Sequence, residues 1–176
     1  MIQTYTGEGK GKTTAALGLV IRALGNGLRV GIVYFDKGGE FYNERKLLNK
    51  LIEIGLPLLY EATGLLRFDP AAKTFRFGVN DGDKKEAERG LVLAKQLSSC
   101  VDLLILDELN STVSLGMLVV ESVVVFLKDK PEGLEVVLTG RQAPKEIIEL
   151  ADLVTEMKMV KHYYKQGVEA REGIEY

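Results

Sequence analysis

Near its start the chain joins a short apolar segment, Ile2-Gln3-Thr4-Tyr5, to a helix-forming run, Ala15 to Leu24, through Thr6-Gly7-Glu8-Gly9-Lys10-Gly11-Lys12-Thr13-Thr14. A strand that turns into a helix through a glycine-rich loop ending Gly-Lys-Thr is a strong constraint. It commits the chain to an α/β plan and builds a cradle for phosphates. Glycines let successive backbone N–H groups converge on one point, and the positive end of the helix dipole faces the same point. In such a loop Lys12 reaches the outer phosphates of a nucleotide, and the Thr13 hydroxyl holds Mg²⁺. The match to G-x-x-x-x-G-K-[ST] is imperfect. Thr6 stands where the first glycine belongs, and Lys10 is a charge the pattern does not require. The context favours a nucleotide phosphate site over a glycine-rich turn with solvated lysines.

The rest of the chain continues the alternation of strands and helices. Gly25-Asn26-Gly27 stops the first helix, and Leu28 to Phe35 is an apolar run suited to a strand buried on both faces. Glu44 to Ile54 carries Leu47, Leu48, Leu51 and Ile52 at helical spacing, and Leu56 to Tyr60 is a further strand candidate. From Gly64 to Asp83 the periodicity is lost, so a long loop, flexible and functional, is expected at about 64–83. Asp83 to Ser98 predicts an amphipathic helix with Ala87, Leu91, Ala94 and Leu97 inward and Asp83 as its cap. Val101 to Glu108 and Glu135 to Arg141 are strands, Pro144 to Leu150 a short helix, and Asp152 to Met157 the last strand. A parallel sheet with helices on both faces follows. Ligands on such sheets lie at the carboxyl ends of the strands, which gathers the phosphate loop, Asp107-Glu108 and Gly140-Arg141 along one edge.

Charge and cysteine content remove several classes of function. With 23 basic against 25 acidic residues, the net charge of −2 gives no footing for coating nucleic acid or a membrane surface. The apolar stretch from Val113 to Leu127 is shorter than the roughly 20 residues a membrane span needs, and Glu121 interrupts it, so a buried helix or helix-strand pair is expected. The single cysteine, Cys100, excludes an internal disulfide framework and is expected to be an inert core residue. The expectation is one cytoplasmic domain, 1–176, with no leader peptide.

Two acids close the apolar strand Leu103-Leu104-Ile105-Leu106-Asp107-Glu108. Opposite a phosphate loop, such carboxylates hold Mg²⁺ directly or through its waters, since this hard ion takes oxygen ligands and keeps several waters. Solvated turn residues are the simpler alternative. His162, the only histidine, is expected to be structural, packed near the nucleotide or at a subunit interface.

These residues resemble a known family. The loop is similar to the T-G-[ND]-G-K-G-K-[ST]-[ST]-A-A of the corrinoid adenosyltransferases of the CobA type, also called BtuR or CobO. The resemblance covers the missing glycine and the extra lysine alike. It continues through Gly27-Leu28-Arg29-Val30, Phe35-Asp36-Lys37-Gly38 and Leu106-Asp107-Glu108-Leu109-Asn110. Leu138-Thr139-Gly140-Arg141, with Ala143-Pro144, is similar to the family's L-T-G-R-x-A-P. Glu149 to Met157 reproduces E-L-A-D-L-V-T-E-M, and Val160-Lys161-His162 and Gly167 to Tyr176 resemble the family's carboxyl end.

The resemblance implies a P-loop NTPase (RecA-like) fold, a three-layer α/β/α arrangement around a mainly parallel sheet. It implies transfer of the 5′-deoxyadenosyl group of ATP to the cobalt(I) of a reduced corrinoid, with triphosphate as leaving group. Cobalt(I) is the nucleophile, so no catalytic nucleophile or base is required of the protein. Lys10 and Lys12 would stabilise the leaving triphosphate, and Thr6 to Thr14 with Lys37 and Arg141 would bind ATP. Thr13 and Glu108 map onto Mg²⁺ contacts, with Asp107 acting through a bound water. The family also implies an external electron donor and a homodimer. Its G-F-T-W stretch has no tryptophan here; Lys73-Thr74-Phe75-Arg76-Phe77-Gly78 stands in its place, with Phe75 and Phe77 as the corrinoid-facing aromatics. The family's extension before the first strand is also expected to be lacking. A P-loop ATPase or nucleotide-binding module without corrinoid chemistry is the alternative.

Overall fold

A computed structural model describes residues 1–40, 42–69, 74–76 and 78–176, with 68–69 and 74–75 described by their backbone alone. In chain order the elements are β1 (Ile2–Thr6), α1 (Lys12–Gly25), β2 (Val30–Tyr34), α2 (Asn43–Glu53), β3 (Leu58–Ala62), β4 (Phe68–Asp69) and β5 (Thr74–Phe75). They continue with α3 (Asp81–Ser98), β6 (Leu103–Asp107), α4 (Leu109–Ser114), α5 (Val120–Lys128), β7 (Glu135–Thr139), α6 (Lys145–Leu150) and β8 (Leu153–Glu156). A 3₁₀ turn at Tyr163–Gln166 follows.

Six strands form one sheet in the order β3-β2-β6-β7-β1-β8, every neighbouring pair parallel. The two central apolar runs, β2 and β6, are buried along their whole length, as strands covered on both faces must be. Side chains alternate between two cores. Ile32, Ile105 and Val137 face α1, whose Ala16, Val20, Ala23 and Leu24 complete that layer. Val33, Leu104, Leu106, Val136 and Leu138 face the opposite way, against Ala87, Leu91 and Ala94 of α3 and Val123, Phe126 and Leu127 of α5. Each large aliphatic side chain so buried contributes about 1.5–3 kcal/mol. The result is the three-layer α/β/α arrangement expected of a P-loop NTPase-like chain. Among the described residues, no helix is long and apolar enough to cross a membrane.

The structure departs from the sequence reading in four places. The expected loop at 64–83 contains a small antiparallel pair, with Phe68 opposite Phe75 and Asp69 opposite Thr74. Helix α3 starts earlier than expected, and its cap is Asn80. Asp83 is the third helical residue instead; its carboxylate accepts from the Asn80 N–H at 2.8 Å while the Asn80 side chain accepts from the Asp83 N–H at 3.0 Å. The 113–127 stretch is divided between α4 and α5 by a turn at Gly116, whose φ of 72° suits glycine. Cys100 is exposed, not part of the core, because the turn after α3 gives the inward position to Val101.

Parallel register brings the carboxyl ends of the strands to one edge. Tyr34 pairs with Asp107, Tyr5 with Thr139, and Thr6 with Glu156. The segment after β3 is folded onto this edge by charge. Arg67 binds Asp36 at 2.8 Å and the Gly78 carbonyl at 2.8 Å, and Arg76 clamps the buried Asp83 through two bonds of 2.8 and 2.6 Å.

Candidate functional site

The loop between β1 and α1 is built by close approach. The Gly9 N–H donates to the Met157 carbonyl at 2.6 Å, and a Cβ at Gly9 would lie 2.6 Å from that same oxygen, so no larger residue fits. Gly11, at φ 115°, takes the left-handed conformation from which α1 starts. Thr6 has a structural partner: its hydroxyl accepts from the Ala143 N–H at 3.0 Å and ties the loop to the turn after β7. A glycine there would lose that tie, which accounts for the departure from the usual pattern.

A cavity of about 640 Å³ opens over the loop. Its wall includes Glu8 to Thr14, Lys37, Glu108 and Arg141, so most of the predicted site residues share one space; Thr6, Gly7 and Asp107 lie behind it. The volume falls within the usual range for small-molecule sites. The three lysines each have an internal oxygen partner. Lys12 folds over its own loop and donates to the Gly7 and Gly9 carbonyls, both at 2.7 Å, and burial pushes its pKa down. Lys10 points the other way, to Glu175 at 2.7 Å, the Tyr163 hydroxyl at 2.9 Å and the Ile174 carbonyl at 3.1 Å. The Glu175 hydrogen bond, with that of Tyr163, holds the Lys10 ammonium above its ordinary range. Hydrogen bonds from Arg171, Lys10 and Tyr163 hold the Glu175 carboxyl well below the usual carboxylate range.

Lys37 reaches across to the acid that ends β6. Its Nζ lies 2.5 Å from Asp107 Oδ2 and 3.3 Å from the Thr13 hydroxyl. Burial alone would pull its pKa down; the charges of Asp107 and Glu108 and the Asp107 hydrogen bond outweigh that and raise it. The backbone is fixed by Arg45, which donates to the Lys37 and Gly39 carbonyls, both at 2.7 Å. The Arg45 guanidinium lies over the rings of Tyr34 and Tyr42, at 4.7 and 4.6 Å from their centroids.

Beneath Lys37, Asp107 is buried at the end of β6, and its Oδ1 accepts from the Thr139 hydroxyl at 2.6 Å. The next residue, Glu108, adopts φ 60° and ψ 14°, a left-handed conformation uncommon outside glycine. It is held there by the Thr139 hydroxyl, which accepts from the Glu108 N–H at 3.0 Å, and by Ser111, which donates to its carboxylate at 2.6 Å. Such strain, of order 1–3 kcal/mol, persists where the surroundings over-determine it. Here it turns the Glu108 side chain onto the cavity wall. Arg141 pairs with Glu8 at 3.2 Å, an exposed bridge of small energetic weight.

The donors suit a hard cation. Thr13 and Asp107 present oxygens to one point that the structure fills with an ammonium, and Glu108 shares the cavity. Among the described residues no group of three or more acids, histidines or cysteines is disposed to hold a metal by itself. That combination fits Mg²⁺, which uses one or two protein carboxylates and takes its remaining ligands from phosphates and water.

Several residues on the wall were not singled out from the sequence as site residues: Tyr42, Asn43, and the terminal run Gly173 to Tyr176. The Asn43 amide donates to the Tyr176 carbonyl at 2.9 Å, closing the rim between α2 and the tail. The terminal run was signalled by the specificity of the carboxyl-terminal block; Tyr42 and Asn43 had no signal. His162 lines the same wall, and its Nδ1 accepts from the Tyr164 N–H at 3.1 Å. Phe75 is placed by backbone pairing alone, and Phe77 lies outside the described residues.

Comparison with known proteins converges on one group. Residues 1–176 match the family model described as ATP:corrinoid adenosyltransferase BtuR/CobO/CobP. The chain is 38% identical over 178 residues to a corrinoid adenosyltransferase of Escherichia coli (strain K12), spanning 100% of this chain and 85% of that protein. It is 35% identical over 178 residues to the corrinoid adenosyltransferase of Pseudomonas aeruginosa, again across 100% of this chain and 83% of the relative. A corrinoid adenosyltransferase of Salmonella typhimurium is 36% identical over 183 residues, with 100% and 85% covered.

Proposed function

Because the chain belongs to the ATP:corrinoid adenosyltransferase family, we propose that it transfers the 5′-deoxyadenosyl group of ATP to the cobalt of a reduced corrinoid. The observation that carries this reading is the two-lysine loop facing a cavity of about 640 Å³ at the carboxyl edge of the sheet. In the transfer, cobalt(I) supplies the electron pair for the new cobalt–carbon bond. The bond from the ribose 5′-carbon to the first phosphate oxygen breaks, and its electrons leave with triphosphate.

The chemistry asks three things of the protein. It must hold the 5′-carbon in line with the cobalt, which lowers the entropic part of the barrier. It must place fixed positive charge where negative charge grows on the leaving group. It must keep water from a strongly reducing centre. Lys12 serves the second task from within the loop, and Lys10 from its rim once the triphosphate displaces Glu175. The backbone N–H groups of Gly7 to Thr14 and the start of α1 add their dipoles, while Lys37 and Arg141 contact the nucleotide from the sides. Thr13 and Glu108, with Asp107 behind, would hold Mg²⁺. When bound, that ion neutralises triphosphate charge. Phe75 and Phe77 cover the corrinoid face and serve the third task. The protein is proposed to be a single cytoplasmic domain that works as a homodimer and receives electrons for the corrinoid from an external donor.

The test is anaerobic incubation with ATP, Mg²⁺ and chemically reduced cobalamin. A light-sensitive adenosylated product should appear together with an equal amount of triphosphate. Orthophosphate without a corrinoid product would refute the transfer and favour a P-loop ATPase.

A further inference from the structure

The resting site already contains a cation, and it is covalently part of the chain. The Lys37 ammonium lies 2.5 Å from Asp107 Oδ2 and 3.3 Å from the Thr13 hydroxyl, between an oxygen that the proposed function gives to Mg²⁺ directly, that of Thr13, and one that it gives to the ion through a bound water, that of Asp107. The placement is built, not incidental. Arg45 fixes the backbone on both sides of the turn through the Lys37 and Gly39 carbonyls. Nζ also lies 5.7 and 5.5 Å from the centroids of Tyr34 and Tyr42, whose ring faces favour a cation. Only 13% of the Lys37 side chain and 1% of the Asp107 side chain are exposed, so a buried carboxylate is kept from being an uncompensated charge.

We propose that Lys37 is a resident counter-ion that occupies the Thr13–Asp107 cation position in the nucleotide-free protein and yields it to Mg²⁺ when the nucleotide arrives. This rests on the reading that Thr13 and Asp107 face the nucleotide's metal. An ammonium and a divalent ion cannot share so small a space, since charges of like sign at such separations repel strongly even when screened. Nucleotide-free protein therefore binds the metal weakly. Triphosphate changes the balance by offering the displaced ammonium a new partner on the same cavity wall. Metal binding and Lys37 engagement with phosphate are then coupled, and the coupling is reciprocal. Lys37 thus ends as a third positive side chain beside the leaving group, after keeping Asp107 compensated in the empty site.

Mn²⁺ binding to nucleotide-free protein, followed by electron paramagnetic resonance, reads this competition without catalysis. Lys37→Met should bind Mn²⁺ at least about tenfold more tightly than wild type, one factor of ten for each ~1.4 kcal/mol of repulsion removed. Lys37→Arg, which keeps the charge, should remain as weak as wild type. Equal or weaker binding by a folded Lys37→Met protein overturns the proposal. Should that variant not fold, lysine acetylation of the wild type followed by mass spectrometry decides. Labelling at Lys37 should rise severalfold as Mg²⁺ saturates the protein while the exposed Lys128 stays constant; no rise overturns the proposal. The adenosyltransferase reading stands or falls separately, on product formation. A Mg²⁺-dependent transferase whose metal affinity ignores Lys37 would refute the handover alone.

Discussion

Asp83 offers the sharpest test of how the segment between β3 and α3 is held. Its side chain is 0% exposed, yet it meets Arg76 at 2.6 Å and Arg67 at 3.7 Å and also accepts from the Asn80 N–H. Asp83→Asn preserves the volume and leaves an oxygen for the Asn80 N–H, so the loss is chiefly of charge. Breaking a buried ion pair from one side costs about 3–5 kcal/mol. Arg76 is 34% exposed and recovers part of its hydration, which lowers the expectation to about 2–3 kcal/mol. For a chain of this size, each kcal/mol moves the melting temperature by roughly 2–4 °C, so the variant should melt about 4–12 °C below wild type. The pH dependence has a definite sign. The Arg76 hydrogen bond, and then that of the Asn80 backbone, depress the Asp83 pKa in the folded state. Its stabilisation is therefore complete above the unfolded-state value of about 3.9 and disappears as pH falls through the lower, folded value. Thermal melts followed by circular dichroism from about pH 7 down to about pH 3 should show the two proteins converging in acid. A neutral-pH difference under about 1 °C, or a gap that stays constant into acid, would refute the reasoning.

Lys12→Ala should lower kcat/KM for adenosyl transfer by about 100-fold or more while leaving the far-ultraviolet circular dichroism unchanged, as for loss of one preorganised charge-stabilising donor. Wild-type turnover in that variant would remove Lys12 from the reaction. Gly9→Ala should weaken ATP binding more than about tenfold, because its Cβ would meet the Met157 carbonyl at 2.6 Å and displace the loop. Gly18→Ala, on an exposed part of α1 with nothing within 4 Å of the added carbon, should instead stabilise the protein by roughly 0.5–1 kcal/mol. Calorimetric titration and denaturant melts check this pair. Phe77→Ala should raise the KM for corrinoid more than that for ATP, measured in the same coupled assay; equal losses would argue against its corrinoid-facing role.

The layer structure was legible because its signals are local. Uninterrupted apolar runs such as Leu103 to Leu106 mark strands covered on both faces, and the Gly-Lys-Thr turn fixes the order strand, loop, helix. From these the carboxyl edge and its acids follow. What escaped the sequence depends on contacts between distant residues. The use of Thr6 becomes clear only when the Ala143 N–H is seen 3.0 Å away. Lys37 was expected to contact the nucleotide, but its position between Asp107 and Thr13 is set by Arg45 and two tyrosine rings that no spacing rule connects. The cap of α3 was misplaced by three residues because Asn80 and Asp83 are both good capping types, and only their reciprocal bonds assign the roles. Cys100 shows the limit of hydrophobicity scales: one residue before a buried strand, a turn exposes a side chain that composition would place inside.

The strand order has a consequence for how the molecule comes into being. β1 precedes every other strand of the sheet in the chain, yet it lies between β7 and β8, and its loop is bonded through Gly9 to Met157. During synthesis β1 has no neighbouring strand to pair with until β7 exists, since its first ladder partner is Val136. The phosphate cradle is therefore a late product of folding, although its residues are translated before those of the strands that flank it. Nucleotide can stabilise only a chain that has already closed its sheet, so ligand binding acts as a check on completed assembly and gives no help to a nascent one.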